Sequence, residues 1–495
     1  MNEENLQKEL ANFTVSLENM SEEESLPAYV REWTETFGQV SRQNEYPAIL
    51  AAFTLLGQLM KDFVRIPYGH TIEDTRVHVC WIQNARSGKS VLNDFYSEIC
   101  DEVWNRIDEQ HEEEFTTFDC SDFTDSSLVS SYVEVKNPDR GEEGEPDTVW
   151  NEVKGHIEGS GLLLFDEFES SGIFKQMSNK DSMVTFFQKL MNTLTTDGYL
   201  IKRVLTGKPI ATTDCQRSVW ATTYVPEQVH KTIAEKGVLQ RMFLFVRIVP
   251  QETLNEMRRE LISSIGTIKR RKTPTNKFSN GMVTLYNQAK ERFNELSIDF
   301  DERMSRLPEE ERFNCPQEEM MTFGQDVQTL VQMNYDSMIE YLGDIPANIR
   351  NIVGLFETNC LIYITKLAVL CAIFETPSRQ NVNEKWVVTE RNVAQAGWIV
   401  QQGYKSLVAW LLTSLKAQRQ SVAEDTKTQD FRNAYFKLKE NSEDGWVLHS
   451  AIKKLLEEQF NMPHATFSRW VGKHRDSFFY TQKQGRTLYY KLKED

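Results

Sequence analysis

The chain has few of the features that mark secreted, membrane-bound or zinc-binding proteins. Its seven cysteines are scattered without a Cys-x-x-Cys pair, and its eight histidines form no ligand-spaced cluster with them. This spacing excludes the common zinc motifs and predicts reduced, mostly buried thiols. The apolar run at 361–374 is interrupted by Lys366 and is shorter than the ~18 residues of a membrane span. The first residues, Met1 to Asn5, lack the basic start and apolar core of a signal peptide. We therefore expect a soluble, cytoplasmic protein without a membrane partner.

Positive charge is also in deficit. The chain has 56 Lys and Arg against 73 Asp and Glu, a net charge of −17 at pH 7. This balance argues against a surface coated with nucleic acid, but it is compatible with a local basic groove. No internal repeat is visible, and apolar residues make up 40% of the 495 residues. We expect a globular protein with roughly three domains, at ~100–200 residues each.

Periodicity and composition predict four regions. Residues 1–65 are helical, and their segment 47–59 is apolar on most sides and should be buried. Residues 66–250 alternate apolar strands with helices, which predicts an α/β domain whose mostly parallel sheet lies between helices. Residues 275–425 are almost wholly helical. Residues 430–495 form a small unit of their own.

A phosphate-binding loop is predicted near the start of the α/β region. An apolar strand ends near Gln83, and a loop and helix start follow, formed by Asn84, Ala85, Arg86, Ser87, Gly88, Lys89 and Ser90. In such a loop, backbone N–H groups and the helix N-terminus hold phosphates, a lysine reaches the β- and γ-oxygens, and a hydroxyl binds Mg²⁺. A glycine is expected five residues before Gly88, but Gln83 stands there. The alternative is a chance Gly-Lys-Ser in an ordinary strand–loop–helix unit.

An acidic strand end and a late arginine could complete such a site. Asp166 and Glu167 follow an apolar strand, where P-loop NTPases place an aspartate for the Mg²⁺ shell and a glutamate for the attacking water. Arg241 precedes the last apolar strand, so it could reach the γ-phosphate of a neighbouring subunit. The alternatives are two solvated acids at a strand end and an arginine that caps a helix C-terminus.

The order of these segments resembles the AAA+ ATPase core of hexameric replicative helicases. The similarity is closest to helicase-like ATPases of phages and plasmids, and extends to superfamily 3 and minichromosome-maintenance helicases. It rests on residues 84–90, 163–167, 218–223 and 237–243, within about a third of the chain.

The resemblance implies ATP and Mg²⁺ as cofactors and a role for each residue. The loop of residues 84–90 would hold phosphate, with Ser90 and Asp166 at the metal. Glu167 and Arg241 would be catalytic, the arginine acting in trans. Thr222 or Thr223 would sense the γ-phosphate, although asparagine is common at this place. Gln83 is the other departure, which many of these helicases share.

Two basic segments are predicted to bind DNA. A hairpin at 198–213 carries Lys202, Arg203 and Lys208. Related helicases project a basic hairpin into the ring channel, where it would grip the backbone of single-stranded DNA. The alternative is a solvated surface hairpin.

The last fifty residues have the helix–helix–hairpin pattern of a winged helix-turn-helix. They hold nine Lys or Arg against five Asp or Glu. Phe467, Trp470 and Val471 should face inward, and Tyr480 and Tyr489 should belong to the core. The candidate DNA contacts are Arg469, Lys473, Arg475, Lys483 and Arg486. The alternative is a winged helix that contacts protein instead of duplex DNA.

These expectations combine into one functional hypothesis. The chain would form a ring, expected to be a hexamer, and would use ATP to translocate on DNA during phage or plasmid replication, in the host cytoplasm if viral. One alternative is an ATP-switched initiator or helicase loader that binds DNA through the winged helix without unwinding it. Another is a ring ATPase that remodels protein complexes. The sequence leaves open the polarity, the DNA site and the role of residues 275–425.

Overall fold

The structure is a computed structural model, and its contacts divide the chain into two compact units, Met1–Leu412 and Thr413–Asp495. The described residues are 20–21, 24–38, 44–68, 71–84, 87–111, 114–120, 129–136, 148–168, 188, 190–191, 200–203, 208–225, 237–249, 251–263, 265, 276–308, 316–341, 347–375, 385–439, 442, 445–460, 462–484 and 487–492.

The first helices of this unit among the described residues are α1 (Ala28–Gly38) and α2 (Glu45–Met60). All residues of α2 except the first are buried, as its apolar circumference predicts. In α1, the ring of Trp33 stacks on Phe278 at 4.5 Å and on Phe95 at 5.5 Å between centroids. This aromatic cluster joins the N-terminal helices to elements far along the chain.

The rest of this unit contains both strands and helices. The strands are β1 (Ile66–Tyr68), β2 (Thr71–Glu73), β3 (Val79–Gln83), β4 (Phe115–Asp119), β5 (Ser131–Lys136), β6 (Thr148–Val153), β7 (Gly159–Phe165), β8 (Leu200–Arg203), β9 (Ala211–Thr223), β10 (Phe243–Arg247), β11 (Met321–Phe323) and β12 (Trp386–Val388). The further helices are α3 (Lys89–His111), α4 (Gln251–Ser263), α5 (Asn276–Ser305), α6 (Val327–Tyr341), α7 (Ala347–Val353), α8 (Glu357–Phe374) and α9 (Glu390–Lys439), the last of which continues into the second unit.

The centre of the unit is a parallel sheet in the order β10-β3-β9-β7-β4. All residues of β3 are buried, as are four of the five in β10. Strands buried on both faces need helices on both sides, so the predicted α/β fold with a parallel sheet between helices is confirmed. The strands end together at one edge, here called the carboxyl edge, and begin at the opposite amino edge.

Antiparallel hairpins accompany this sheet. Strand β8 pairs antiparallel with the first part of β9, so that Lys202 lies opposite Thr212 and Arg203 opposite Ala211. The hairpin predicted at 198–213 is therefore present over its described residues. Strands β5 and β6 form a second antiparallel hairpin. The acidic, turn-rich stretch between them lies outside the described residues.

Gly161 allows β7 to approach β4 closely. Its φ is +121°, and a Cβ atom at this position would lie 2.1 Å from the Thr116 carbonyl oxygen. Both observations require glycine, because L-residues avoid this backbone region and the clash is with main chain.

The described residues of the region 275–425 are mainly helical, as expected, apart from the parallel pair formed by β11 and β12. Strands of three residues are too short to produce a periodic pattern, so this pair was not predicted. In the described part of the chain, one helical stretch, Arg350–Phe374, has the length and apolar composition of a membrane span. Inside the protein, 61% of its most apolar window is buried, as in the core helix of a soluble protein.

The second unit contains β13 (Val447–Leu448), α10 (His449–Phe460), α11 (His464–Phe478), β14 (Phe479–Gln484) and β15 (Thr487–Leu492), with the antiparallel order β13-β15-β14. Its core holds Phe467, Trp470 and Val471, as predicted.

The prediction that Tyr480 belongs to this core is wrong, since it is 57% exposed. Tyr480 pairs with Lys491 and shares its side of the hairpin, whereas neighbouring Tyr490 points to the opposite side and is fully buried. Tyr489 is half-buried.

Candidate functional site

The carboxyl edge brings together the polar residues predicted from separate segments. Lys89 and Ser90 begin α3 directly after β3, and Asp166 and Glu167 follow β7. Strand β9 lies between β3 and β7, so Thr222 near its end sits between the loop and the acids. A crevice at the carboxyl ends of parallel strands is where open α/β sheets bind ligands.

The loop before α3 turns at Gly88, whose φ is +85°. Lys89 follows, and its Nζ atom donates hydrogen bonds to the carbonyl oxygens of Gln83 (2.7 Å) and Asn84 (2.8 Å). Burial lowers the pKa of Lys89 to about 8, although Asp166 and Glu167 act in the opposite direction. The Lys89 ammonium group is therefore held inside the loop. Because its pKa is about 8, it loses its proton at mildly alkaline pH.

Asp166 is held by hydrogen bonds from helix α3 and strand β9. Ser90 Oγ donates to its Oδ2 atom (3.3 Å), and Asn93 Nδ2 donates to its Oδ1 atom (2.6 Å). Asn93 Nδ2 also reaches Thr222 Oγ1 (3.1 Å), while Thr222 Oγ1 donates to the Asp166 carbonyl oxygen (2.7 Å). Of the two threonines predicted as sensor candidates, Thr222 therefore contacts the acidic strand end. The Thr223 hydroxyl is buried and has no partner among the described residues.

Glu167 contacts a residue that the sequence did not single out. Tyr224 donates its hydroxyl hydrogen bond to Glu167 Oε1 (2.6 Å), and this bond is the main reason why the pKa of Tyr224 is raised to about 12. The Tyr224 ring lies 4.7 Å from Lys89 Nζ, within cation–π distance. One side chain therefore touches both the loop lysine and the second acid.

Several carboxylates lie close together among the described residues of this edge. Burial, together with the nearby carboxylates of Asp166 and Asp94, raises the pKa of Asp119 at the end of β4. Ser90 Oγ and Asp166 supply hard oxygen ligands side by side. Mg²⁺ commonly takes one or two such protein ligands and completes its shell with substrate phosphate and water. The residues present fit Mg²⁺, although the described part of the chain holds no cluster of three or more His, Cys, Asp or Glu arranged around a metal.

Gln83, which replaces the expected glycine, is fully buried at the end of β3. Its Nε2 atom donates to Asn44 Oδ1 (3.0 Å) and to the Ser87 carbonyl oxygen (3.2 Å). Its Oε1 atom accepts from Trp81 Nε1 (2.8 Å). Asn44 Nδ2 also donates to the Ser87 carbonyl (3.0 Å). Two amide side chains thus hold one carbonyl group of the loop.

Arg241 lies at the opposite edge of the sheet. It precedes β10, whose first residue, Phe243, pairs with Val79 at the start of β3. Its Nη1 atom donates to the Gly237 carbonyl oxygen (2.6 Å), and burial lowers the pKa of its guanidinium group. Arg241 lines a cavity of about 360 Å³ together with Asn359 and Lys366. The structure therefore does not bring Arg241 to the loop of its own chain.

The remaining predicted residues are described to different extents. Ala85, Arg86 and Arg486 lie outside the described residues, as do the side chains of Lys202, Arg203, Lys473 and Arg475. Asn84 Oδ1 accepts from the backbone N–H of Val249 (2.8 Å), and Ser87 Oγ donates to the Asn84 carbonyl oxygen (2.6 Å).

Lys208 is exposed and contacts the β5–β6 hairpin. Its Nζ atom donates to the Tyr132 carbonyl oxygen (3.2 Å) and lies 5.9 Å from the centre of the Trp150 ring. In the second unit, Arg469 on α11 and Lys483 on β14 are both exposed.

The thiols are as predicted over the described residues. Their cysteines are free, and all are buried except Cys360, which is half-buried. Cys315 lies outside the described residues.

Comparison of the sequence with protein-family models returns no match, and comparison with curated proteins returns none either. The site therefore has to be interpreted from its own geometry. Sequence reasoning missed Asn44, Asn93 and Tyr224. Asn93 had a usable signal, because a polar residue three positions after Ser90 lies on the same helix face.

Proposed function

We propose that the chain is an ATPase of the AAA+ P-loop type, with Mg²⁺ as its metal. The observation that carries this proposal is the meeting of Lys89, Ser90, Asp166 and Glu167 at one sheet edge. Bound Mg²⁺ would neutralise charge on the transferring phosphoryl group. On nucleotide binding, Lys89 Nζ would exchange its hydrogen bonds to the Gln83 and Asn84 carbonyls for hydrogen bonds to phosphate oxygens. Glu167, 2.6 Å from the Tyr224 hydroxyl, would orient the attacking water.

The first test is phosphate release from ATP with two variants. Lys89→Ala should abolish nucleotide binding, because it removes the ammonium group that lies inside the loop on the carbonyls of Gln83 and Asn84. Glu167→Gln should keep nucleotide binding but lower kcat by ~10²–10⁴, the usual contribution of a positioned acid–base group. Lys277→Ala is the matched control, since Lys277 is 67% exposed and lies on α5. Unchanged hydrolysis in Lys89→Ala would refute the assignment.

The position of Arg241 supports a ring. The length of β3 separates the two edges by ~13 Å at about 3.3 Å per residue, so a γ-phosphate that Arg241 touches would belong to another copy. A head-to-tail arrangement that closes would give each copy its neighbour's arginine. We take a hexamer as the working ring size.

A mixing experiment tests this shared site. Lys89→Ala and Arg241→Ala should each be inactive alone. Mixed in equal amounts, they should recover about a quarter of wild-type hydrolysis, since that share of interfaces pairs an intact loop with an intact arginine. If the mixture stays inactive, or if native mass measurements with ATP find only monomers, the ring proposal fails.

The second unit supports DNA as a partner. Helices α10 and α11 are followed by the β14–β15 hairpin, the element order expected of a winged helix, and Arg469 is exposed on the second helix. Arg469→Ala and Lys483→Ala should each weaken duplex binding and reduce its salt slope by about 1. Lys454→Ala is the control, because Lys454 is 75% exposed on α10. Equal effects of all three would indicate non-specific charge.

A variant in the β8–β9 hairpin can distinguish a translocase from an initiator. A translocase in phage or plasmid replication should displace a strand from forked DNA, and Lys208→Ala should impair this without changing duplex binding. An initiator or loader would bind duplex DNA and hydrolyse ATP without displacing a strand. A protein-remodelling ATPase would show no stimulation of hydrolysis by DNA.

A further inference from the structure

We propose that Gln83 and Asn44 form an amide clamp that positions the nucleotide-binding loop in place of a second loop glycine. The clamp consists of these two side chains and the Ser87 carbonyl group that both hold. This inference rests on the proposed function only for the identity of the ligand. The clamp itself rests on four hydrogen bonds of 2.8–3.2 Å between buried groups.

The clamp fixes the direction of one backbone N–H group. In a planar trans peptide, the C=O of one residue and the N–H of the next point in opposite directions. Asn44 and Gln83 hold the Ser87 carbonyl towards the protein interior. The N–H of Gly88 is therefore directed away from the interior, towards the outer side of the loop, where an anion would bind. Backbone N–H groups aimed in this way are the usual phosphate donors of such loops.

Burial makes the clamp specific. Asn44 and Gln83 are both 0% exposed, and the Ser87 residue is 1% exposed. Without the two amides, the Ser87 carbonyl would be a buried acceptor that lacks these partners. Such a group costs free energy and would turn to find another donor. Turning the peptide would turn the Gly88 N–H with it, and the loop would lose its donor geometry.

The clamp also links the loop to the N-terminal helices. Asn44 immediately precedes α2, the buried helix, whereas Gln83 ends β3, next to β10 in the sheet. The loop is thus fastened to a helix outside its own strand–loop–helix unit. This provides a positioning role for residues before the α/β domain that the loop motif alone would not suggest.

Gln83→Met tests the clamp because it keeps the side-chain length but removes the three hydrogen bonds of the Gln83 side chain. The matched control is Gln58→Met. Gln58 lies in α2, is 1% exposed, donates to the Gln216 carbonyl (2.7 Å) and accepts from Ser218 Oγ (2.8 Å). Both variants remove a buried amide with donors and an acceptor, but only one contacts the loop. Gln83→Gly restores the glycine of the motif.

Affinity for MgADP and the midpoint of urea unfolding are measured for all four proteins. Gln83→Met and Gln58→Met should lower the urea midpoint by similar amounts. Gln83→Met should in addition weaken MgADP binding by ~10- to 100-fold, the effect of losing one hydrogen bond from the loop backbone to the charged phosphate. Gln58→Met should change affinity by less than about threefold. The clamp is refuted if both glutamine variants lose affinity equally, or if Gln83→Gly binds MgADP as tightly as wild type.

Hydrogen exchange of the amides from Ser87 to Leu92 gives a second readout that needs no nucleotide. Exchange should be faster in Gln83→Met than in Gln58→Met, and equal exchange in the two variants refutes the clamp. If wild type binds no MgADP, the proposed function fails and the exchange result alone decides the clamp. Failure of the proposed ATPase function and failure of the clamp therefore give different results.

Discussion

Raising the pH through the pKa of Lys89 should weaken nucleotide binding. In the free protein, burial brings this pKa down from the ordinary 10.5 to about 8. The charged groups nearest to it are Asp166 and Glu167, and the Tyr224 ring covers it at 4.7 Å. Phosphate oxygens would stabilise the ammonium form, so nucleotide binding should raise the pKa and take up a proton.

The sign and size of the effect follow from this difference. A group whose pKa rises on binding contributes affinity that is present below the free-protein pKa and is lost above it. With a pKa of about 8, Lys89 is ~90% charged at pH 7 and ~10% charged at pH 9. Affinity should therefore fall by about tenfold between these pH values. The lowered pKa of Lys89 also affects the stability of the free protein. Between about pH 8 and the ordinary pKa of 10.5, the unfolded chain keeps the Lys89 proton that the folded protein has lost, so the folded protein becomes more stable as the pH rises.

The assay is calorimetric titration with MgADP from pH 7 to 9.5, in buffers of different ionisation enthalpy to count the protons taken up. Lys89→Arg is the control, since a guanidinium group stays charged throughout this range. The buried thiols nearby do not interfere, because burial raises the pKa of Cys80 to about 12. Constant affinity across this range, or an equal decline in Lys89→Arg, would refute the reasoning.

Three further predictions concern single side chains. Asn93→Leu removes the hydrogen bond to Asp166 and should destabilise the protein by ~1–3 kcal/mol in urea unfolding. It should also raise the Mg²⁺ concentration needed for hydrolysis, and an unchanged Mg²⁺ dependence would contradict this. Tyr224→Phe should lower kcat several-fold, because Glu167 loses the hydroxyl that holds it. MgADP affinity should change by less than about twofold, since the ring over Lys89 is kept; a large loss of affinity would contradict this division of roles, because only the hydroxyl is removed. Phe431→Ala should lower the free energy of unfolding of the second unit by ~3–5 kcal/mol, because the buried ring stacks within its core. Duplex binding should be abolished with it, and retained binding would show that this core is not required.

Local signals were sufficient to predict the elements of the site. An apolar run that ends in polar residues predicts a buried parallel strand, and both β3 and β7 fit this pattern. Gly88 and Lys89 at the start of a helical pattern predicted the turn and the beginning of α3. These signals come from residues adjacent in sequence, so a single chain contains them. The same holds for Phe467 and Trp470, whose spacing within a helix predicts a shared buried face.

Long-range pairing could not be predicted in this way. The position of β9 between β3 and β7 depends on which strands pair, and periodicity carries no information about partners. The contact of Asn93 with Asp166 depends on that order, since it spans 73 positions in sequence. Tyr224 follows β9 and meets Glu167 for the same reason. The sequence thus supplied the chemistry of the site without the residues that hold it.

The glycine that the loop lacks is one that its backbone does not need. Gln83 is the last residue of β3 and pairs with Arg247, so it has the extended backbone that any residue adopts. The conformation that requires glycine occurs five residues later, at Gly88, where φ is +85°. A side chain at position 83 enters the interior, and an amide there supplies hydrogen bonds that glycine cannot. The departure from the motif therefore removes no backbone freedom that the loop uses, and it adds two donor contacts that hold the loop in place.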